Sequence, residues 1–249
     1  VDVVALLEIR RLSKDFGALR VLDNVDMQVE KGSLHAVVGP NGAGKTTLFN
    51  LISGFLEPLE GEIFFNGMNI SKIPPHRMAH LGMRRSFQVL TLFPELTVLE
   101  NVRLAIQSMS RKNFIFFRRA LDMGEMVQQA YDILESFELA HMADRKASEL
   151  SHGQQRYLDI GIAIAGGGEL LLLDEPTSGL VYDEIPRMGE SIKNLTPEMT
   201  VLLIEHRIEM VLEISDTITV LDYGRIIANG PPDVVRGSEK VSKAYLGVD

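Results

Sequence analysis

The chain has no cysteine, which excludes disulfides and thiolate metal sites. A reducing cytosol is compatible with that composition. Positive charge is in deficit: 25 Lys and Arg face 34 Asp and Glu, for a net charge of −9 and a pI near 5.2. Nucleic-acid binders carry a basic excess, so no nucleic-acid partner is expected. Any membrane attachment is expected to run through a protein partner rather than lipid charge. No apolar run approaches the ~18 residues of a membrane span. The stretch Val1 to Leu7 is short and has no basic start, so a signal peptide is not expected. Internal repeats and low-complexity segments are lacking too. What remains is 249 residues, 45% hydrophobic and 24% charged, as in a soluble globular protein of one large domain or one domain with an insertion.

The most informative stretch is Gly39-Pro40-Asn41-Gly42-Ala43-Gly44-Lys45-Thr46-Thr47. It fits the phosphate-loop pattern G-x-x-x-x-G-K-[ST]. The apolar run Leu34 to Val38 before it reads as a buried strand, and Lys45 to Ile52 after it has helical spacing. Glycines let backbone N–H groups turn inward around phosphate oxygens, and the helix N-terminus adds positive potential. Lys45 supplies a point charge for β- and γ-phosphates, and the Thr46 hydroxyl a ligand for Mg²⁺.

Alternation predicts strands at Leu7–Leu12, Val25–Val29 and Gly61–Phe65, the last entering an Asn66-Gly67 turn. Pro74 and Pro75 open a short helix, and Met83 to Phe87 reads as another strand. After Gln88 the spacing turns helical, over Thr97–Ser110 and Arg119–Leu139. Between these, Arg111 to Arg119 is basic at both ends and aromatic inside. It suits a partner or membrane surface, but packing within its own helical layer is the favoured reading. From Leu170 strands and helices alternate again: strands at 170–173, 200–204, 217–221 and 225–228, helices at 183–195 and 208–214. The pattern is an α/β core, residues 1–88 and 151–249, with a helical insertion at about 89–150, in a single domain.

Leu170 to Leu173 is followed by Asp174 and Glu175. Ligands sit beyond the C-terminal ends of parallel strands. Asp174 is therefore placed to hold Mg²⁺ and Glu175 to orient or deprotonate an attacking water. Leu150-Ser151-His152-Gly153-Gln154 opens a further helix, a second N-terminus suited to an anion.

Taken together and in order, these segments resemble the ATP-binding subunits of ABC transporters over nearly the whole chain. Gly39–Thr46 matches that family's Walker A motif and Leu170–Asp174 its Walker B. Leu150–Gln154 matches the signature, usually LSGGQ. Gln88 matches the Q-loop glutamine, His206 the switch histidine and Phe16 the aromatic that stacks on adenine. Arg85-Ser86-Phe87-Gln88, Phe93 to Asn101, Leu221 to Gly224 and Ala244 to Gly247 are similar to branched-chain amino-acid importer ATPases. Urea-import and lipopolysaccharide-export ATPases share parts of these.

The resemblance implies a RecA-like P-loop NTPase core with an N-terminal antiparallel β subdomain and an inserted α-helical subdomain. It implies ATP and Mg²⁺, with Phe16 on the adenine, Gly39 to Thr47 on the phosphates, and Thr46, Gln88 and Asp174 around the metal. Glu175, His206 and Lys45 carry catalysis. Ser151, Gly153 and Gln154 cap the γ-phosphate of a second ATPase subunit, a copy or a paralogue. Transmembrane subunits grip the helical insertion near Pro94-Glu95-Leu96, at the cytoplasmic face of the membrane. A soluble ABC ATPase serving as an assembly factor is the alternative. Three positions depart from the family: His152 replaces the first signature glycine, Val181 stands where an aspartate is usual, and Ile162 where an arginine is frequent.

Overall fold

A computed structural model describes residues 5–86, 90, 92–109 and 119–246. Gln88 and the basic, aromatic run at 111–118 lie outside the described residues.

The chain opens with two long antiparallel strands, β1 (Ala5–Phe16) and β2 (Leu19–Glu30), and then β3 (Leu34–Val38). Helix α1 (Lys45–Ile52) follows the phosphate loop, and β4 (Glu60–Phe65) and β5 (Met68–Asn69) make the hairpin at Asn66-Gly67. Pro74 caps α2 (Pro75–His80), where proline at the first helical position costs no hydrogen bond. A three-residue strand, β6 (Met83–Arg85), precedes helices α3 (Val98–Met109) and α4 (Arg119–Ser136). Then come α5 (His152–Ala165), β7 (Leu170–Asp174), α6 (Ile185–Lys193), β8 (Thr200–Ile204) and α7 (Ile208–Ile214). Strands β9 (Thr217–Asp222) and β10 (Arg225–Gly230) and helices α8 (Pro232–Arg236) and α9 (Glu239–Leu246) complete the order.

Two sheets form. One is antiparallel, in the order β2-β1-β4-β5. The other runs β10-β9-β3-β8-β7-β6; its strands are parallel except for β10, which returns antiparallel to β9. The apolar runs in the central strands divide with period two. Leu34, Ala36, Val38, Leu171, Leu173, Val201 and Leu203 face a core shared with α3 to α7. Val37, Leu170, Leu172, Leu202 and Ile204 face the opposite core, shared with α1 and the antiparallel sheet. The parallel sheet is thus covered on both faces, as its near-continuous apolar strands require. The α/β architecture with an antiparallel sheet at the start and a helical layer after β6 is the one expected.

The helical layer is fastened at its entry. Asn101, 2% exposed, accepts from Phe93 N at 2.8 Å and donates to Phe93 O and Thr97 O, which shapes the Pro94-Glu95-Leu96 turn. Pro94 O and Leu96 O accept from Ser148 N and Ala147 N, closing the layer's two ends on one another.

Candidate functional site

Three neighbouring strand ends build the site. β8 lies between β3 and β7, and the register sets Val37 opposite Ile204 and Ile204 opposite Asp174. The strands are parallel, so the chain leaves all three on one edge: from β3 into Gly39, from β7 into Glu175, from β8 into Glu205 and His206. Ligands of parallel sheets bind at such an edge.

The loop after β3 depends on glycine. Gly39 has φ 154°, and a Cβ there would fall 2.0 Å from Leu221 O. Gly44, with φ 105°, is the N-cap of α1 and brings no side chain to it. The first N–H groups of α1 therefore point at the cavity without a side-chain cap, the arrangement that holds phosphate. Gly224 N donates to Ala43 O at 3.0 Å, so the β9–β10 turn braces the loop from behind. Lys45 Nζ donates to Gly39 O and Pro40 O at 2.8 and 3.0 Å. Burial pushes its ammonium below the usual lysine range, and the charges of Glu175 and Asp174 oppose that shift. Asn41, Gly44, Lys45, Thr46, Thr47, Glu175 and His206 line one open cavity of about 180 Å³.

Asp174 closes β7 and is buried. Burial raises its carboxyl above the usual aspartate range, against the pull of the Arg85 guanidinium. Arg85, on β6, reaches Asp174 Oδ2 at 3.3 Å and donates to Asn50 Oδ1 at 2.8 Å and Ser53 Oγ at 2.7 Å. Its guanidinium lies 5.5 Å from the centre of the Phe55 ring. Asp174 is thus tied, through Arg85, to β6 and to α1.

Glu175 adopts a left-handed φ of 50°. A residue with a Cβ held there costs on the order of 1–3 kcal/mol, and it stays only where its surroundings over-determine it. Its N–H donates to Ile204 O at 2.9 Å. Its Oε1 lies 2.5 Å from His206 Nε2, with both side chains partly exposed. The set can therefore hold a polyphosphate on a cation and a helix N-terminus, with a carboxylate and an imidazole paired beside it.

Oxygen donors suited to a divalent cation are the Thr46 hydroxyl and the Asp174 carboxylate. Among the described residues no group of three or more His, Asp or Glu could cage a metal. That chemistry fits Mg²⁺, which is held by one or two carboxylates together with substrate phosphates and water.

The second expected helix N-terminus is formed by α5. Ser151 Oγ accepts from Gln154 N at 3.3 Å and Gln154 Oε1 from Ser151 N at 2.9 Å, a reciprocal capping box. Ser151 and Gln154 line a different cavity, of about 730 Å³, between the end of α4 and the length of α6. Within one chain, then, Lys45, Thr46, Glu175 and His206 come together, and Ser151, Gly153 and Gln154 do not join them. Phe16 stands half exposed at the end of β1, outside the cavity lining.

Two of the three departures, His152 and Val181, make local contacts. The His152 ring packs on Gly179, where a Cβ would fall 2.7 Å from Cε1, and Glu184 covers Gly153 with Oε1 at 2.8 Å from a would-be Cβ. Val181 is exposed, and its N–H donates to Glu184 Oε2 at 3.3 Å. Nothing in the structure explains Ile162 beyond its packing beside the helical core.

Three residues near the site escaped sequence reasoning. Arg85 stands in the sequence as one member of the run Arg85-Ser86-Phe87-Gln88, with nothing local to mark it as a partner of Asp174. Glu205 accepts from Thr177 N and Oγ1 and from His206 N, although it directly precedes a motif histidine. The Tyr245 phenol hydrogen-bonds to the Gly39 backbone, and its partial burial pushes it up to about 12. The only local signal is that Arg85 and Tyr245 lie inside family-like runs and Glu205 precedes a motif histidine.

The sheet edge, the phosphate loop and the acidic strand end define a P-loop nucleoside triphosphatase. The chain belongs to the ABC transporter family, whose model matches residues 22–178. It is 38% identical to the high-affinity branched-chain amino acid transport ATP-binding protein BraF of Pseudomonas aeruginosa, covering 97% of this chain and 98% of that protein. It is 36% identical to the probable branched-chain amino acid transport ATP-binding protein LivG of Archaeoglobus fulgidus, over 97% and 95% of the two chains. Among solved structures, MJ1267, an ATP-binding cassette of an ABC transporter, superposes with a TM-score of 0.84 at 34% identity, covering 97% and 99% of the two chains. The cassette MJ0796, solved as a dimer after hydrolysis with ADP and Pi, gives 0.76 at 25%, covering 91% and 98%. This chain is accordingly an ATP-binding subunit of an ABC transporter, and it hydrolyses ATP.

Proposed function

We propose that the chain drives import of branched-chain amino acids by hydrolysing Mg²⁺–ATP at the cavity where Lys45, Thr46, Glu175 and His206 converge. That convergence is the observation that carries the reading. Gly39 to Thr47 wrap the phosphates, with Lys45 on the β- and γ-phosphates and Phe16 on the adenine. Thr46, Asp174 and Gln88 would hold Mg²⁺, which when bound would supply charge neutralisation for the phosphates. Glu175 takes a proton from, or orients, the attacking water, and His206 holds that carboxylate in place and contacts the γ-phosphate. Ser151, Gly153 and Gln154 serve the phosphates of a second ATPase subunit. The substrate class follows the near full-length similarity to branched-chain amino-acid transport ATPases; an assembly factor is not favoured by those relatives.

The helical insertion at about 89–150 docks transmembrane subunits through the Pro94-Glu95-Leu96 turn, beside which Phe93 is 58% exposed. The chain then sits peripherally at the cytoplasmic face of the membrane. Among its described residues no helix is long and apolar enough to cross one. The test is uptake of labelled leucine by cells that depend on this chain and its membrane partners, with Lys45→Ala alongside. Leucine uptake that needs the chain and disappears in Lys45→Ala is expected. Affinity for a fluorescent ATP analogue should fall about 10- to 100-fold in that variant, the worth of a charged hydrogen bond to phosphate. Turnover unchanged in Lys45→Ala would remove the phosphate-loop assignment, and uptake of some other solute would replace the substrate alone.

A further inference from the structure

Glu205 is a carboxylate buried to 2% exposure, and the donors around it belong to two different catalytic segments. Its Oε1 accepts from the N–H and the hydroxyl of Thr177, at 2.9 and 2.5 Å. Its Oε2 accepts from His206 N at 2.9 Å and more weakly from Arg207 N at 3.5 Å. Thr177 lies two residues beyond Glu175, in the turn where Ser178 N donates to Glu175 O at 3.0 Å. One planar group therefore fastens the segment after β7 to the segment after β8. A buried carboxylate satisfied by N–H and O–H donors is a rigid element, because releasing any donor leaves charge unsolvated.

We propose that Glu205 is a positioning residue for hydrolysis: it fixes the separation of Glu175 and His206 by clamping the His206 backbone and Thr177, two residues beyond Glu175. The left-handed backbone at Glu175 needs such a restraint. Between Glu175 and the loop that follows it, Thr177 is the anchor, and Glu205 is what it is anchored to. The 2.5 Å approach of Glu175 Oε1 to His206 Nε2 is then set from behind by a buried side chain that does not line the phosphate cavity. The inference rests on Glu175 and His206 being the hydrolytic pair.

The experiment compares Glu205→Gln, Glu205→Ala, Thr177→Val and Glu175→Gln in the full chain, within the assembly that turns over ATP. It reads kcat, KM and direct binding of a fluorescent ATP analogue. Glu205→Ala should lower kcat about 100-fold, the usual effect of displacing a catalytic group by about an ångström. KM and analogue affinity should stay within about twofold, because the phosphate loop is not touched. Glu205→Gln keeps volume and one acceptor oxygen, so it should fall between wild type and Glu205→Ala. Thr177→Val combined with Glu205→Ala should cost little more than Glu205→Ala alone, as partners in one contact do. Wild-type kcat in Glu205→Gln and Glu205→Ala overturns the proposal. So does a fall in analogue affinity that parallels kcat, since that marks general damage to the fold. Should Glu205→Ala fail to fold, the isosteric Glu205→Gln decides by the same two readings. Wild-type turnover in Glu175→Gln would instead remove the underlying catalytic pair, and is read separately.

Discussion

Glu175 shows how much of this site depends on single side chains. It sits in a backbone conformation that suits glycine, its carboxylate meets an imidazole at 2.5 Å, and its charge is felt by a lysine in the phosphate loop. Replacing it with glutamine keeps the size and removes the charge and most of the basicity. Glu175→Gln should therefore bind ATP like the wild type and lose about 10²- to 10⁴-fold in turnover, the range for a general base. Parallel measurement of analogue binding and phosphate release checks it, and wild-type release would remove Glu175 from the chemistry. Lys45 was legible as a cation for phosphate from its spacing alone. Glu205 was not: an acidic residue after a strand is ordinary, and only the fold brings Thr177 to it.

At the scale of elements, β3 carries a feature of its own. His35 is buried in the strand leading to the phosphate loop, with Nε2 2.7 Å from Thr219 Oγ1, which in turn donates to Asn229 Oδ1. Burial pushes the imidazole down from 6.5 to about 4. The folded protein thus resists a proton that the unfolded chain accepts. Because the folded value is the lower one, the neutral histidine supports the fold above about pH 6.5, and that support is lost as pH falls toward 4. The loss is roughly 2 kcal/mol by pH 5. His35→Gln keeps a donor for Thr219 and cannot titrate. Urea unfolding at pH 7 and pH 5 should show the wild type losing about that much more stability than His35→Gln, and equal losses would refute the account. Helix α5 tells a related story. Ser151 and Gln154 match the family's signature, yet in this chain they close a capping box on their own helix, and Ser86, directly after β6, donates to Asp159 two turns further along α5 at 2.5 Å.

The whole molecule sets a limit that neither scale below it reveals. The phosphate cavity is lined by residues of the loop with Glu175 and His206, whereas Ser151 and Gln154 line another. If the signature serves a γ-phosphate, it serves that of a second subunit, enclosing ATP in a drier site where charge contacts are worth more. Glu175→Gln, unable to clear the nucleotide, should then hold two subunits together. Light scattering should move from 27.7 kDa toward twice that mass on adding Mg²⁺–ATP, either alone or on mixing with a paralogous ATPase. A mass of one chain under every mixture would reject the shared site and leave the role of Glu175 standing.

The sequence by itself determined the nucleotide chemistry and the placement of the elements. Both are encoded locally: a phosphate loop is a backbone conformation set by glycines between a strand and a helix, and strand and helix periods appear directly in the apolar spacing. Leu170 to Leu173, Thr200 to Ile204 and Ile208 to Ile214 were readable for that reason. Tertiary structure alone decided which strand lies beside which, and so which distant residues share an edge. β8 falls between β3 and β7, and that order, a matter of long-range packing on two apolar faces, brings His206 to Glu175 and Glu205 to Thr177. The same packing buries Arg85 against Asp174 and leaves Ser151 at another cavity. No local spacing records such contacts, because their energy comes from burial and pairing between segments far apart in the chain.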